Sequence, residues 1–465
     1  MDKKETFVDI INYRSSGLCR KRKFQNTING SRSLISRLTL TDELHFHDGC
    51  VNSLNFNSKG NFLLSGSDDL KIALWDWSRD ATKPLATYAS GHSSNVFQTK
   101  FMENSNDTTI VSCARDGQVR VSYLDCLNRM EHTKRVAQHH GSCHKLCVHP
   151  GSSSLLLSAG EDAVVFNIDI RQPKPNKLFT LKNSVNRKVA LYSIDVNPLN
   201  TNEFAVCGRC EWARIFDLRK VDVDNEDNGI VKKFCAEGLK ENSLGFKPNI
   251  TCLMYNFNGK ELLCSYNDED IYLFDTSQSS ECKEVHKYTG HRNSDTVKGV
   301  NFFGPHSEYI ISGSDCSNIF IWDKSTEDVV TFLPGDQTGV VNVLEPHPTC
   351  CILATAGLDH QVKLWQPTGE KFDNFQTLEK QMKKNASQRD EDLRAPDMLD
   401  NQTIYLMIRQ LQRQNRRLNG QTGGDDDSDN DDESLLSVSS DDDSSDDDDD
   451  ISYDGSARAR ACIQS

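Results

Sequence analysis

The stretch Ser65-Gly-Ser-Asp-Asp-Leu-Lys-Ile-Ala-Leu-Trp-Asp76 constrains this chain more than any other, because it recurs. It returns as Ser312-Gly-Ser-Asp-Cys-Ser-Asn-Ile-Phe-Ile-Trp-Asp323 and, more altered, as Thr355-Ala-Gly-Leu-Asp-His-Gln-Val-Lys-Leu-Trp-Gln366. Each copy reads as a strand, a tight polar turn and a second strand ending on an aromatic side chain. The second strand alternates, with Ile72 and Leu74 on one side and Lys71 and Ala73 on the other, which is the period of two that a strand imposes. Weaker copies end at Ser122-Tyr123, Phe166-Asn-Ile-Asp169, Ala213-Arg-Ile-Phe-Asp217 and Ile271-Tyr-Leu-Phe-Asp275. The repeats run over 47–76, 91–123, 139–169, 189–217, 249–275, 290–323 and 339–365. A period of about 40–45 residues or somewhat more marks an architecture built blade by blade. Seven blades suit a closed ring, so the expected fold is all-β, a seven-bladed β-propeller.

No repeat can bury both faces of its small sheet alone, so neighbours must stack. A ring left open would expose sheet edges. Residues 33–46, with Leu34, Ile35, Leu38 and Leu40, precede the first full repeat and are expected to supply the outermost strand of the seventh blade. The organisation is then a flexible N-terminal segment over 1–32, the propeller over 33–368, a helical extension over 369–420 and a disordered acidic tail over 421–465. Within the first segment, Glu5–Tyr13 has the apolar positions of a short amphipathic helix, Phe7, Val8, Ile10 and Ile11. Arg20, Lys21, Arg22 and Lys23 form a basic run that fits either a nuclear import signal or a solvated turn. Between the fourth and fifth repeats, 221–248 reads as a long insertion with Asp222, Asp224, Glu226 and Asp227.

Past Trp365 the period changes. Residues 374–386 and 397–418 have helical composition, and Ile404, Ile408, Leu411 and Leu418 share a face among Arg409, Arg413, Arg416 and Arg417. Such a basic amphipathic helix either docks on an acidic partner or packs on its own domain. The Asp runs that follow cannot bury enough apolar surface to offset the entropy of ordering. Ser434, Ser440 and Ser445 lie beside or within those runs, a context that acidophilic kinases favour, although a purely solubilising tail fits equally. The net charge is -15, and residues 425–465 carry 16 acidic side chains against Arg458 and Arg460. The body is therefore nearly neutral, which argues against direct nucleic-acid binding. No apolar run approaches the roughly 18–20 residues of a membrane span, and the start lacks a signal-peptide shape, so a soluble intracellular protein is expected. Its 16 cysteines then read as small buried hydrophobes.

Little in the chain reads as catalysis. Cys207-Gly-Arg-Cys210 is a lone Cys-x-x-Cys without the second pair that a zinc site needs. The set His139, His140, Cys143, His144, Cys147 and His149 is richer, but Cys143 and Cys147 fall on an alternating strand with a core side. There is no GxxxxGK[ST] phosphate loop and no GxSxG elbow. No enzyme activity, cofactor or metal is expected.

The repeat resembles the WD-repeat family of seven-bladed propellers. In that family an Asp anchors the turn between the two middle strands, and the matching positions are Asp69, Asp116, Asp162, Asp268 and Asp359. Blades 4 and 6 have Cys210 and Cys316 there, with Asp315 one residue early, so those turns must be held differently. His92 and His291 fit the family's Gly-His position. The ends of blades 3 and 4, Ile168-Asp-Ile-Arg171 and Phe216-Asp-Leu-Arg219, are similar to the Trp-Asp-x-Arg box of WD proteins that act as substrate receptors of cullin-4 ubiquitin ligases. The resemblance implies that Asp169, Arg171, Asp217 and Arg219 meet the ligase adaptor, since a planar guanidinium pairs with carboxylates and carbonyls in fixed geometry. Tyr266–Phe274, Gly290-His-Arg-Asn293, Val297–Phe302, Ser312–Cys316 and Leu344–Pro348 resemble the subfamily around the eighth cullin-4-associated factor. That implies a receptor presenting protein substrates for ubiquitylation in nucleus and cytoplasm. The alternative is a ligase-independent scaffold or chaperone for basic proteins such as histones, with the acidic tail supplying attraction.

Overall fold

The computed structural model describes residues 7–394 except 80–81, 126–128, 184, 222–228, 241–247, 279, 281, 295, 337–338 and 371–374. Seven four-stranded antiparallel sheets follow one another along the chain. Blade 1 is typical: Val51–Phe56 is the inner strand, Leu63–Ser67 and Lys71–Trp75 lie in the middle, and Ala86–Ala89 is outermost. Six of the seven inner strands shift register after their first paired residue, as between Val51 and Ser53 or Leu191 and Ser193. An extra residue there sharpens the local twist. Blade 6, Val300–Phe303 with its partners, pairs without that shift.

The ring closes on blade 7, where Thr39–His45 pairs antiparallel with Gln361–Gln366. The expected closure by the 33–46 segment is thus observed. Its apolar residues serve the core: Ile35 and Leu38 pack with Phe303, Tyr309, Leu353 and Trp365 between blades 6 and 7. Each interface between blades is such a cluster, and the middle strands are buried on both faces, as with Leu63–Ser67 and Thr109–Ala114.

Three expectations need revision. The N-terminal segment is more ordered than a flexible one: the short helix expected over Glu5–Tyr13 is seen as α1, Phe7–Ser15, and two more follow, α2, Lys21–Asn29, and α3, Arg32–Ile35. The basic run is neither loose nor a turn, because Arg20 stands in extended conformation just before α2 and Lys21, Arg22 and Lys23 form the exposed first turn of that helix. The stretch 221–248 is not wholly an insertion: Ile230–Phe234 is the outer strand of blade 4, and Phe234, Cys235 and Ala236 are buried in the core beyond it. After α4, Glu237–Lys240, the chain enters blade 5. Helix α5, Phe375–Arg394, follows blade 7. Described residues up to Ala386 form one compact unit, and Ser387–Arg394 belong to a second. In the first unit α5 lays Leu378 and Met382 against the cluster of Trp322, Tyr288 and Phe320, and Asn385 Nδ2 donates to the Gly290 carbonyl at 2.8 Å. Gly290 has φ +102°, and a Cβ there would meet Met382, so this close approach requires glycine.

Candidate docking site

The alternation of strand directions gives the ring two ends. At the upper end lie the connections into each inner strand and the turns between the two middle strands. At the lower end lie the connections from inner to second strand and from third to outer strand.

The upper turns of blades 1–3 share one device. His47 donates from Nδ1 to Asp69 at 3.0 Å, its Nε2 lies 2.8 Å from Ser65 Oγ, and Trp75 Nε1 donates to the same oxygen at 2.9 Å. His92 joins Asp116 to Ser112, and His139 joins Asp162 to Ser158, in the same way. Burial works against ionisation of these three carboxyls, but the His bonds and backbone N–H groups prevail and hold each below its ordinary value. The Asp–His–Ser order is that of a hydrolase triad, yet all three serines are buried and substrate has no approach. These are turn anchors, as the sequence suggests.

Blades 4–7 hold their turns otherwise. Asp268 adopts φ 57°, its N–H donates to the Asn293 carbonyl at 2.8 Å, and its carboxylate accepts from Asn267 Nδ2. Asp359 pairs with Lys363, and Asp336 stands where blades 1–3 have the histidine, accepting from the Asp359 N–H at 3.3 Å. Burial and the Asp336 charge keep the Asp359 carboxyl above its usual value despite Lys363. Asp268 and Asp359, which match the family's turn position, are thus held by other partners than the acids of blades 1–3. In blade 4, Arg214 Nη1 donates to Cys210 Sγ at 3.1 Å. In blade 6, Asp315 forms a fully buried pair with Lys298 and accepts from the Ser294 N–H at 2.6 Å. Sequence reasoning missed Lys298, Lys363 and Arg214. For the last two a signal existed, since both stand four residues after the turn position, where blade 1 has Ala73.

At the lower end, Arg171 follows the third strand of blade 3 and Arg219 that of blade 4, so the two occupy equivalent places in adjacent blades. Arg171 Nε and Nη2 donate to the two carboxylate oxygens of Asp169 at 2.9 and 2.7 Å. Arg219 clamps Asp217 likewise at 3.0 and 2.7 Å. The Arg171 and Arg219 side chains nevertheless remain 70% and 64% exposed. Each guanidinium drives its Asp carboxyl down, to about 2 for Asp217. Each Asp thus fixes the plane of an arginine and leaves its outer edge in solvent. Arg79 in blade 1 is one residue later in its turn and reaches Asp76 only at 3.6 Å.

The remaining candidates disperse. Cys207 is fully buried, which pushes its thiol up. Cys143 donates to the Ala159 carbonyl, His144 pairs with Glu161, Cys147 donates to Asp195 and His149 to the Pro150 carbonyl. Among the described residues no three His, Cys, Asp or Glu side chains stand together as a metal would require, and no disulfide joins the described cysteines. The axial channel carries Lys100, Lys145, Asp195 and Glu345, and burial raises Glu345 to about 7. Its cavity of about 70 Å³ suits water rather than a peptide. The candidate phosphorylation sites Ser434, Ser440 and Ser445 and the 397–418 helix lie outside the described residues.

Comparison with known proteins agrees with this geometry. The family described as WD domain, G-beta repeat matches residues 38–76, 82–121, 282–323 and 327–366, four stretches of the seven-bladed β-propeller. That architecture is typically an interaction scaffold. Human DDB1- and CUL4-associated factor 6 is similar, 33% identical over 278 residues, which are 57% of this chain and 31% of that protein. Protein ALTERED SEED GERMINATION 2 of Arabidopsis thaliana is 30% identical over 55% of this chain and 38% of its own. Human WD and tetratricopeptide repeats protein 1 is 20% identical over 75% of this chain and 88% of its own. The chain thus spans about a third of the length of the first two relatives. No helix among the described residues is long and apolar enough to cross a membrane.

Proposed function

We propose that this chain is a substrate receptor of a cullin-4 ubiquitin ligase, with the lower end of its ring against the ligase adaptor. The observation that carries the reading is the pair Arg171 and Arg219, each oriented by its own Asp and each exposed on adjacent blades. The similarity to human DDB1- and CUL4-associated factor 6, at 33% identity, supports the same partner. The finer placement, near the eighth cullin-4-associated factor, rests on the sequence stretches quoted above. Chemistry then belongs to the enzymes brought to the ring, and the receptor contributes proximity to its protein substrates. The N-terminal helices fit a second adaptor contact. Asn29 Nδ2 donates to the Thr349 carbonyl and Tyr309 Oη to the Gly30 carbonyl, which ties the end of α2 to lower-end positions of blades 6 and 7. Val8, Ile11, Tyr13 and Leu18 are exposed. The exposed Arg20–Lys23 run suits residence in both nucleus and cytoplasm.

Affinity purification of the full chain and of R171A/R219A, followed by identification of co-purified proteins, tests the reading. The adaptor and cullin-4 should accompany the wild type and be depleted from the double variant. Equal recovery with both removes the two arginines from the interface. The acidic composition of 425–450 favours one other reading, a chaperone for basic proteins. It predicts histone binding that falls steeply with salt and vanishes when 425–450 is deleted.

A further inference from the structure

Among the exposed large apolar side chains of the lower end are Leu199 at 72% and Phe257 at 49% exposure. Both sit in connections between inner and second strands, Leu199 in blade 4 and Phe257 in blade 5. Neither is exposed through looseness. Buried Asn197 accepts the Leu199 N–H at 3.0 Å and the Asn200 N–H at 3.1 Å, so a side-chain-capped turn fixes the backbone under Leu199. Asn197 Nδ2 also donates to the Gly259 carbonyl at 3.2 Å, tying this loop to the loop of Phe257. The Phe257 N–H donates in turn to buried Ser307 Oγ at 3.2 Å in blade 6, and its ring meets His306 edge-on at 5.2 Å. On the other side, the Leu218 N–H donates to the Asn202 carbonyl at 2.8 Å, which joins the Leu199 loop to the turn that presents Arg219. Hydrogen bonds between loops therefore join the turn of Arg219 to the loop of Leu199, that loop to the loop of Phe257, and Phe257 to Ser307.

We infer that Leu199 and Phe257 are the apolar anchors of the same docking surface, inserting into an apolar depression on the ligase adaptor while Arg171 and Arg219 meet carboxylates or carbonyls beside it. Binding energy at interfaces concentrates in a few desolvated aromatic, apolar and Arg side chains. Anchors already fixed before encounter lose little entropy on binding. The occupant is argued from continuity: the anchors adjoin Arg219 through bonded loops, so a body covering that arginine covers them too. This rests on the ligase-receptor reading.

The test is the affinity of purified adaptor for the full-length wild type, L199A/F257A, R171A/R219A and V185A. Val185 is equally exposed but lies at the upper end, in the connection into blade 4. All five replaced positions are exposed, and unchanged melting temperatures establish that the variants fold. L199A/F257A should weaken binding at least about tenfold, and V185A by less than about twofold. Wild-type affinity in L199A/F257A, with R171A/R219A impaired, overturns the anchor inference and leaves the receptor reading standing. An equal loss in V185A overturns it as well, because the effect would not be confined to this surface. No adaptor binding by the wild type overturns both.

Discussion

At the upper end of the ring Asp69, Asp116 and Asp162 turn inward to a buried histidine, and their whole environment is internal. At the lower end Asp169 and Asp217 hold an arginine whose other edge stands in water. The residue type is the same and the partner decides the consequence. A carboxylate closed on His, Ser and backbone N–H groups stabilises a turn. A carboxylate paired with an exposed arginine adds little stability, because water competes for both charges, but it orients the cation for a partner. The same residue type thus anchors turns at one end of the ring and, on the proposed reading, orients contact residues at the other.

The largest effect expected from that contrast is on stability at the upper end. Asp162→Ala leaves His139 and two backbone donors without their acceptor, and should cost about 3 kcal/mol, read as a fall in melting temperature. Asp169→Ala should cost at most about 1 kcal/mol in the same measurement. Similar losses at the two positions would break the comparison.

Acid comes next. Asp69, Asp116 and Asp162 have folded pKa values below the model-compound 3.8, so they contribute stability above about pH 4 that is lost as pH falls through their folded values. Thermal denaturation between pH 6 and pH 3 should show melting temperature dropping chiefly below pH 4. A D69N/D116N/D162N variant, if it folds, should show a shallower drop. A wild-type profile flat to pH 3 would contradict the staple account.

Smaller still is the effect of removing the lower-end clamps while keeping the arginines. D169A/D217A retains both cations but lets them wander, so adaptor affinity should fall only about three- to fivefold. The smallest is Arg79→Ala, where the guanidinium makes one long contact with Asp76 and is not held flat. It should leave adaptor affinity and stability within error. A large loss there would spread recognition to blade 1 and blur the distinction between clamped and unclamped arginines.

The ring was legible because Ser65–Asp76 recurs with its alternation intact, and repetition survives the substitution of single residues. The turn acids of blades 1–3 were legible for a related reason, since His47, His92 and His139 recur 22, 24 and 23 residues before them. Asp268 and Asp359 match the same position, yet no histidine stands 22–24 residues before either of them. In blade 7 the clue lay in Asp336 and Lys363, a swap of charges between partners that only contact makes plain. The outer strand of blade 4, Ile230–Phe234, is short and follows an acidic stretch, so composition hid it. Arg171 and Arg219 could be picked from the sequence, but their orientation by Asp169 and Asp217 could not. Leu199 and Phe257 carried no signal at all, because a lone Leu or Phe in a loop is as readily buried as presented. Their exposure depends on hydrogen bonds between loops of different blades.

The central claim is that Arg171 and Arg219 form one face that docks the ligase adaptor. The most direct measurement is the dissociation constant of purified adaptor for the full chain and for R171A/R219A at one ionic strength, with melting temperatures taken on the same samples. The account predicts affinity weaker by about tenfold or more at a melting temperature shifted by no more than a few degrees. Unchanged affinity in a folded double variant would contradict it.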